Sequence, residues 1–170
     1  TIPCIVRELT DDEATIIMVD SNLQREKILP SEKAFAYKLK MEALSHQGKV
    51  ATSRQVGDKL KTVDIIGMEN NESARQVHRY IRLTELIPQI LQMVDNDALK
   101  LSPSMAISPA VEISYLKEEE QKELLDIMEC FDCTPSLSQA QDFKRLSKDN
   151  KLTREYMETI LDQDKPNQVQ

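Results

Sequence analysis

Signals that start helices recur along this chain of 170 residues and constrain its fold more than any other feature. In a capping box, a Ser or Thr side chain accepts from the backbone amide three residues later, where a Glu or Gln side chain returns to the first amide. The spacing occurs at Thr10 and Glu13, at Thr52 and Gln55, and at Ser73 and Gln76. Only 4% of residues are aromatic and three are glycine, which favours helices over sheets. We therefore predict a mainly α fold of many helices, preceded by a short strand over residues 2–9.

Apolar periodicity and capping residues predict where the helices lie. The first two are expected over residues 11–23 and 30–47. Their apolar stripes are Ala14, Ile17, Met18 and Ser21 in the first, and Ala34, Tyr37, Met41 and Leu44 in the second. Ser108 is expected to cap a helix that Pro109 begins. The remaining helices are predicted over residues 63–69, 73–86, 88–96, 109–116, 118–131, 136–148 and 153–162.

The predicted helix over residues 73–86 carries a cationic face. Arg75, Arg79 and Arg82 step by four and three residues, so they share one side of the helix. His78 lies beside them on that side. The opposite side should face a core and consists of Ala74, Val77 and Ile81.

Two registers compete for the helix that precedes this cationic helix. A preceding helix over residues 52–60 would leave a connection of twelve residues, whereas one over residues 63–69 leaves a turn at residues 70–72. The shorter connection is typical of a helix-turn-helix. Asparagine tolerates the left-handed backbone conformation, and Gly67 is small enough for two helices to approach closely. We therefore adopt the second register.

The charge is unevenly distributed along the chain, whose formal net charge is −7. Residues 49–82 contain seven lysines or arginines and four acidic residues, whereas residues 117–170 contain eight and thirteen. The basic segment coincides with the cationic helix, as binding to phosphate requires. The acidic segment could weaken indiscriminate binding to DNA, although a run such as residues 118–120 is typical of a solvated first helical turn.

These features predict binding to double-stranded DNA. In helix-turn-helix proteins the second helix enters the major groove, where arginine can bind guanine and glutamine can bind adenine through two hydrogen bonds. The residues expected at the groove are Ser73, Arg75, Gln76, His78, Arg79 and Arg82. Arg54, Lys59 and Lys61 are expected to contact phosphates.

Other kinds of chemistry have weaker support in the sequence. Three cysteines and the lack of a secretory signal favour a reducing cytoplasm, and the spacing of Cys130 and Cys133 lacks the second pair of a zinc site. His46 and His78 have no acidic or cysteine partners at ligand spacing, and no catalytic motif or membrane span is found. We predict no metal and no enzyme activity within the chain. The aromatic residues expected in the core are Tyr37, Tyr80 and Tyr115.

Several segments carry a resemblance to ParB-type chromosome and plasmid partition proteins. Residues 5–13, 19–26 and 29–32, together with residues 36–37, resemble the later part of that family's nucleotide-binding N-terminal domain. Residues 76–88 and 106–116 resemble its central DNA-binding domain, and the resemblance covers about residues 3–125. It implies an N-terminal remnant over residues 1–28, a helix-turn-helix domain over residues 29–116 and additional packing or dimerisation helices over residues 117–170.

The resemblance also implies partners and a cofactor. A homodimer would recognise a palindromic, centromere-like site in the nucleoid, load there as a clamp and act with a ParA-type ATPase. Relatives bind CTP and magnesium, and the matching positions of the nucleotide motif here are Asn22, Gln24 and Arg25. Ser21 stands where the family has an acidic residue, which disfavours hydrolysis. The other half of the nucleotide pocket has no counterpart here, so we expect a fragment without a cofactor of its own, from a parent that can bind CTP.

Three alternatives remain open at the level of sequence. A nucleoid-associated or transcriptional regulator could use the same DNA-binding domain without a segregation partner. A full-length parent could act as a CTP-dependent clamp. A helical adaptor could bind other proteins through the acidic residues 117–170.

Overall fold

The computed structural model describes Val6, residues 8–46 and residues 62–162. Within these residues the chain forms nine helices and no strand. In chain order they are α1 (Asp11–Leu23), α2 (Pro30–His46), α3 (Thr62–Glu69), α4 (Ala74–Leu83), α5 (Pro88–Leu99), α6 (Ile107–Ile113), α7 (Glu118–Phe131), α8 (Leu137–Lys148) and α9 (Arg154–Asp162). The predicted mainly α class is confirmed. None of the described helices has the length and apolar character needed to cross a membrane.

The predicted N-terminal strand is only partly within the described residues. Val6, Glu8 and Leu9 have irregular backbone, and the other residues of the predicted strand lie outside the described part. The predicted start of α1 is confirmed, because the Thr10 side chain accepts from the Glu13 amide and the Glu13 carboxylate accepts from the Thr10 amide.

The helices group into two compact units, Thr1–Ile28 with Glu32–Ile81 and Leu29–Ser31 with Arg82–Gln170. We call them the first and second unit. The three segments expected from the resemblance stay a prediction.

The core of the first unit lies between α2, α3 and α4. Its fully buried members are Tyr37, Val63, Ile66 and Val77, and partly buried Leu23, Met41, Leu44, Ala74, Tyr80 and Ile81 pack against them. The apolar stripe predicted for α2 is confirmed, since Ala34 and Tyr37 are also fully buried. The stripe predicted for the core side of α4 is also confirmed, since Val77 is fully buried and Ala74 and Ile81 pack against the core.

The stripe predicted for α1 is wrong. Val19 is buried, whereas Ile17 and Met18 are about half exposed and the two small residues of that stripe, Ala14 and Ser21, are exposed. The reason lies next to Val19, because the Asp20 carboxylate accepts a hydrogen bond from the buried Lys40 ammonium of α2. An ion pair that periodicity does not detect thus selects the face that α1 turns inward.

The second unit has an apolar core in which α6 packs against α8 and α7 against α9. Its fully buried side chains include Ile90, Met105, Ile113, Leu124, Ile127, Phe143 and Met157. Gln121 is the buried polar centre of this unit: its Oε1 accepts from the Ile87 amide at 2.9 Å. Its Nε2 donates to the carbonyls of Glu85 and Leu116, each at 3.1 Å. One neutral side chain therefore satisfies three backbone groups where α4, α5, α6 and α7 begin or end.

Several predicted helix boundaries differ from the structure. α4 ends at Leu83 rather than near residue 86, because the Glu85 and Leu86 amides bond to carbonyls three residues back, each at 3.1 Å. Pro88 then begins α5, which extends to Leu99. α6 is capped at Ala106, so Ser108 and Pro109 lie inside its first turn, where a proline leaves no hydrogen bond unmade.

Candidate nucleic-acid interface

Residues 70–73 connect α3 to α4 in a tight turn. Asn71 has a left-handed φ of 56°, and the Glu72 amide donates to the Gly67 carbonyl at 2.8 Å. A Cβ added at Gly67 would lie 2.6 Å from the Glu72 carbonyl oxygen. The predicted roles of an asparagine in the turn and of Gly67 are therefore confirmed, since the turn needs both the left-handed Asn71 and a close approach of backbone.

The start of α4 is fixed by Ser73. Its Oγ accepts from the Gln76 amide at 3.2 Å, as the capping box predicts. The Gln76 side chain does not complete the box, because its Oε1 accepts from Arg79 Nη1 at 3.2 Å. The cap is therefore one-sided, and Gln76 and Arg79 form a hydrogen-bonded pair on the first two turns of the helix.

A charged group lies beneath the turn. The Lys33 ammonium donates to the Glu72 carboxylate and lies 4.9 Å from the centre of the Tyr80 ring and 5.8 Å from that of Tyr37. The two rings meet edge to face at 5.9 Å. Burial and the negative charge of Glu72 raise the pKa of Tyr37 above its ordinary value. These contacts tie the residue just before the Ser73 cap to α2, so the turn is supported from below.

The outer face of α4 is partly open. Arg75 and His78 are exposed, and neither side chain forms a hydrogen bond or ion pair with the described residues. Arg79 is half-buried and bonded to Gln76, while Val77 on the inner side is completely buried. The structure thus brings together four of the predicted groove residues, Arg75, Gln76, His78 and Arg79, with Ser73 as the cap.

Arg82 differs from the other arginines of α4. Its guanidinium donates to the carbonyl and, at 3.2 Å, to the Oγ of Ser114, and it lies 4.1 Å from the centre of the Tyr115 ring. The guanidinium is therefore engaged within the second unit. Tyr115 is 48% exposed, which corrects the expectation that it lies in the core. Helical spacing gave no signal for either contact, because residues 82 and 114 are distant in sequence.

Arg54, Lys59 and Lys61, the predicted phosphate contacts, lie outside the described residues. The helix and capping box expected near residues 52–60 lie there as well.

The predicted nucleotide-binding residues follow the end of α1. Asn22 and Arg25 line a largely apolar cavity of about 270 Å³, together with residues such as Leu23, Ile28 and Phe35. Gln24 is exposed and is not part of this lining. The Arg25 guanidinium is 3.8 Å from the Glu32 carboxylate. The structure therefore brings together two of the three residues, beside an acidic group that would compete with a phosphate.

The cysteine pair shows no sign of a metal centre. Cys130 is exposed and Cys133 half-buried, and neither forms a disulfide with the described residues. Among the residues with described positions, no group of three His, Cys, Asp or Glu side chains could hold a metal ion.

The chain matches no protein-family model and no curated protein.

Proposed function

We propose that the chain binds double-stranded DNA by placing the first two turns of α4 in the major groove. The main observation behind this proposal is that one face of α4 is polar and exposed while the opposite face is apolar and buried. Arg75 and His78 are exposed on one face, and Val77 is fully buried on the other. A helix of this kind, fixed to its neighbour by a short turn, presents its N-terminal residues to base edges.

The charges on α4 support an anionic partner. The helix contains three arginines and no acidic residue, although the whole chain has a net charge of −7. The charge of Arg75 is not neutralised by any described carboxylate. Polyanion binding depends on such local positive charge, because it releases counterions from the phosphates.

The polar groups of the outer face can also discriminate between bases. Arg75 can bind the O6 and N7 of a guanine, and the hydrogen-bonded Gln76 and Arg79 can present an acceptor and donors together. Arg82 is not included among the base-reading residues, because its guanidinium already bonds Ser114. We assign Arg82 the role of holding the end of α4.

A partition role is the biological setting that we propose, and the resemblance to ParB-type proteins is its support. In that setting a homodimer would bind a palindromic site and act with a ParA-type ATPase, and CTP with magnesium would bind to a longer parent protein. Calorimetry of this chain with CTP and magnesium should show no binding. Measurable affinity would mean that Asn22 and Arg25 suffice for a nucleotide site. A DNA-binding regulator without such an ATPase remains the alternative.

The direct test replaces the two arginines on the first two turns of α4. Duplexes bound by the chain are first selected from a random pool, and affinity is then measured at fixed salt by fluorescence anisotropy. Arg75→Ala and Arg79→Ala should each weaken binding by about 1–3 kcal/mol and relax the preference at one base position. Arg154→Gln is the matched control, because it removes the same charge from an exposed arginine of α9. Unchanged affinity in both α4 variants would contradict the proposal.

A further inference from the structure

A second basic feature lies in the second unit, between the α6–α7 connection and the end of α8. It is a cavity of about 320 Å³ lined by Tyr115, Lys117, Lys144, Ser147, Lys148 and Asn150. Three of these six residues are lysines, in a chain whose net charge is negative. The lining of the cavity is therefore positively charged, although the net charge of the chain is negative.

Two of the three lysines have no carboxylate partner among the described residues. The Lys117 ammonium donates to the neutral Oδ1 of Asn150 at 2.7 Å. Lys148 forms no ion pair or hydrogen bond through its side chain with the described residues. Only Lys144 is paired, with Glu112 at 2.8 Å.

The Glu120 carboxylate is bonded next to the cavity but is not part of its lining. Its Oε2 accepts from the Ser147 hydroxyl at 2.5 Å and from the Lys117 amide at 2.9 Å. These bonds hold the carboxylate at the start of α7. The residues that line the cavity thus include three lysines and no acidic residue.

The Tyr115 ring holds two of these cations in place without neutralising them. The Lys144 ammonium lies 3.7 Å from the ring centre and the Arg82 guanidinium 4.1 Å from it. Such contacts stabilise a cation through the ring quadrupole. The ring therefore keeps both cations beside the cavity, where Lys144 is paired with Glu112 and Arg82 is bonded to the neutral Ser114.

We propose that this cavity binds a phosphate group of the DNA backbone. The proposal rests on the proposed function, and it supplies a phosphate contact from the second unit. The Lys117 and Lys148 ammonium groups would bind the non-bridging oxygens, and the Asn150 amide would add a hydrogen-bond donor. Lysine acts here as a point charge, so the contact would position the duplex without reading its sequence.

The test is the salt dependence of DNA binding by the full chain carrying Lys117→Gln and Lys148→Gln. The slope of log affinity against log salt, measured by anisotropy between about 50 and 200 mM salt, should become shallower by about 1 to 2. The ratio of specific to nonspecific affinity should stay unchanged. The control carries Lys27→Gln and Lys122→Gln, which remove the same charge from exposed lysines outside the cavity. Circular dichroism checks that both variants are folded.

The outcomes separate this inference from the proposed function. An unchanged slope, or an equal change in the control, overturns the phosphate site, while weakened binding by Arg75→Ala keeps the role of α4. A shallower slope together with unaffected binding by Arg75→Ala and Arg79→Ala supports the phosphate site and overturns the placement of α4. If the native chain binds no duplex, both proposals are overturned.

Discussion

The two units of the molecule bury different kinds of polar group. In the first unit the buried group is a charge: Lys40 is 2% exposed and pairs with Asp20 of α1 and, at 2.6 Å, with Glu69 of α3. In the second unit it is the neutral amide of Gln121, also 2% exposed, which bonds only to backbone. The most deeply buried polar group is thus a paired charge in the first unit and a neutral amide in the second.

This difference shows how each unit uses its cations. In the first unit, Lys33 and Lys40 are paired with acids inside the structure, and Arg75 of α4 is exposed without a described carboxylate partner. In the second unit a neutral amide holds the helix ends, and Lys117 and Lys148 have no described carboxylate partner. The two units should therefore respond differently to the loss of charge and to pH.

The largest expected effect comes from removing both partners of Lys40. Asp20→Ala with Glu69→Ala leaves a buried ammonium without a counter-charge, so the free energy of unfolding should fall by about 3–5 kcal/mol. Urea unfolding followed by circular dichroism measures it. Lys40→Met is the control, because it fills similar volume without charge and should cost much less. Equal losses in the two proteins would show that Lys40 is not the reason for the effect.

The corresponding change in the second unit is Gln121→Leu. It leaves the Ile87 amide and the carbonyls of Glu85 and Leu116 without their partner, and we expect a loss of about 2–3 kcal/mol. Lys122→Ala, at the exposed neighbouring position, should change stability by less than about 0.5 kcal/mol. A Gln121→Leu protein as stable as the native chain would remove the proposed contrast between the units.

A smaller loss is expected when the turn before α4 is crowded. Gly67→Ala places a methyl group against the Glu72 carbonyl, and the backbone shift should cost about 1–3 kcal/mol. Because the turn positions α4, DNA binding should weaken as well. Met68→Ala alters an exposed neighbour and should change neither property. If Gly67→Ala left both stability and binding unchanged, the turn would not need its close approach.

The smallest effect is a dependence on alkaline pH. Burial lowers the pKa of Lys40, but its bonds to Asp20 and Glu69 outweigh burial and raise the pKa above its ordinary value. The contribution of Lys40 to stability is thus complete below the unfolded pKa of about 10.4 and is lost as pH rises through the folded pKa. The raised pKa of Tyr37 acts in the same direction.

Thermal unfolding between about pH 9 and pH 11 measures this dependence. The native chain should lose stability over that range, and Lys40→Met should lose less of it. An alkaline loss of the same size in Lys40→Met would assign the effect to other groups.

Local patterns predicted helix starts better than they predicted burial. The Thr10 cap of α1 and the Ser73 cap of α4 occur where the sequence places them, because each needs only residues three positions apart. The inward face of α1 was mispredicted, since it depends on the pairing of Asp20 with Lys40. Helical periodicity relates residues three or four positions apart, so it does not predict a contact between residues twenty positions apart.

In the candidate site, too, the features set by neighbouring residues were predicted and a contact between distant residues was not. The left-handed Asn71, the small Gly67 and the buried Val77 follow from local spacing, and each was predicted. The engagement of Arg82 by Ser114 was not, because the partner comes from another helix connection. An arginine stripe in sequence therefore cannot separate the cations that face solvent from those that hold the fold.

The tyrosines give the molecule an optical consequence. The chain has no tryptophan and four tyrosines, so its intrinsic fluorescence comes from tyrosine alone. Tyr37 and Tyr80 are close enough to exchange excitation in the first unit, whereas Tyr115 contacts two cations in the second. Replacing tyrosine by a fluorinated analogue would give each ring its own resonance. Binding of an anion in the cavity beside Tyr115 would then change one resonance. Separation of Lys33 from the rings of Tyr37 and Tyr80 would change the others, in the same sample.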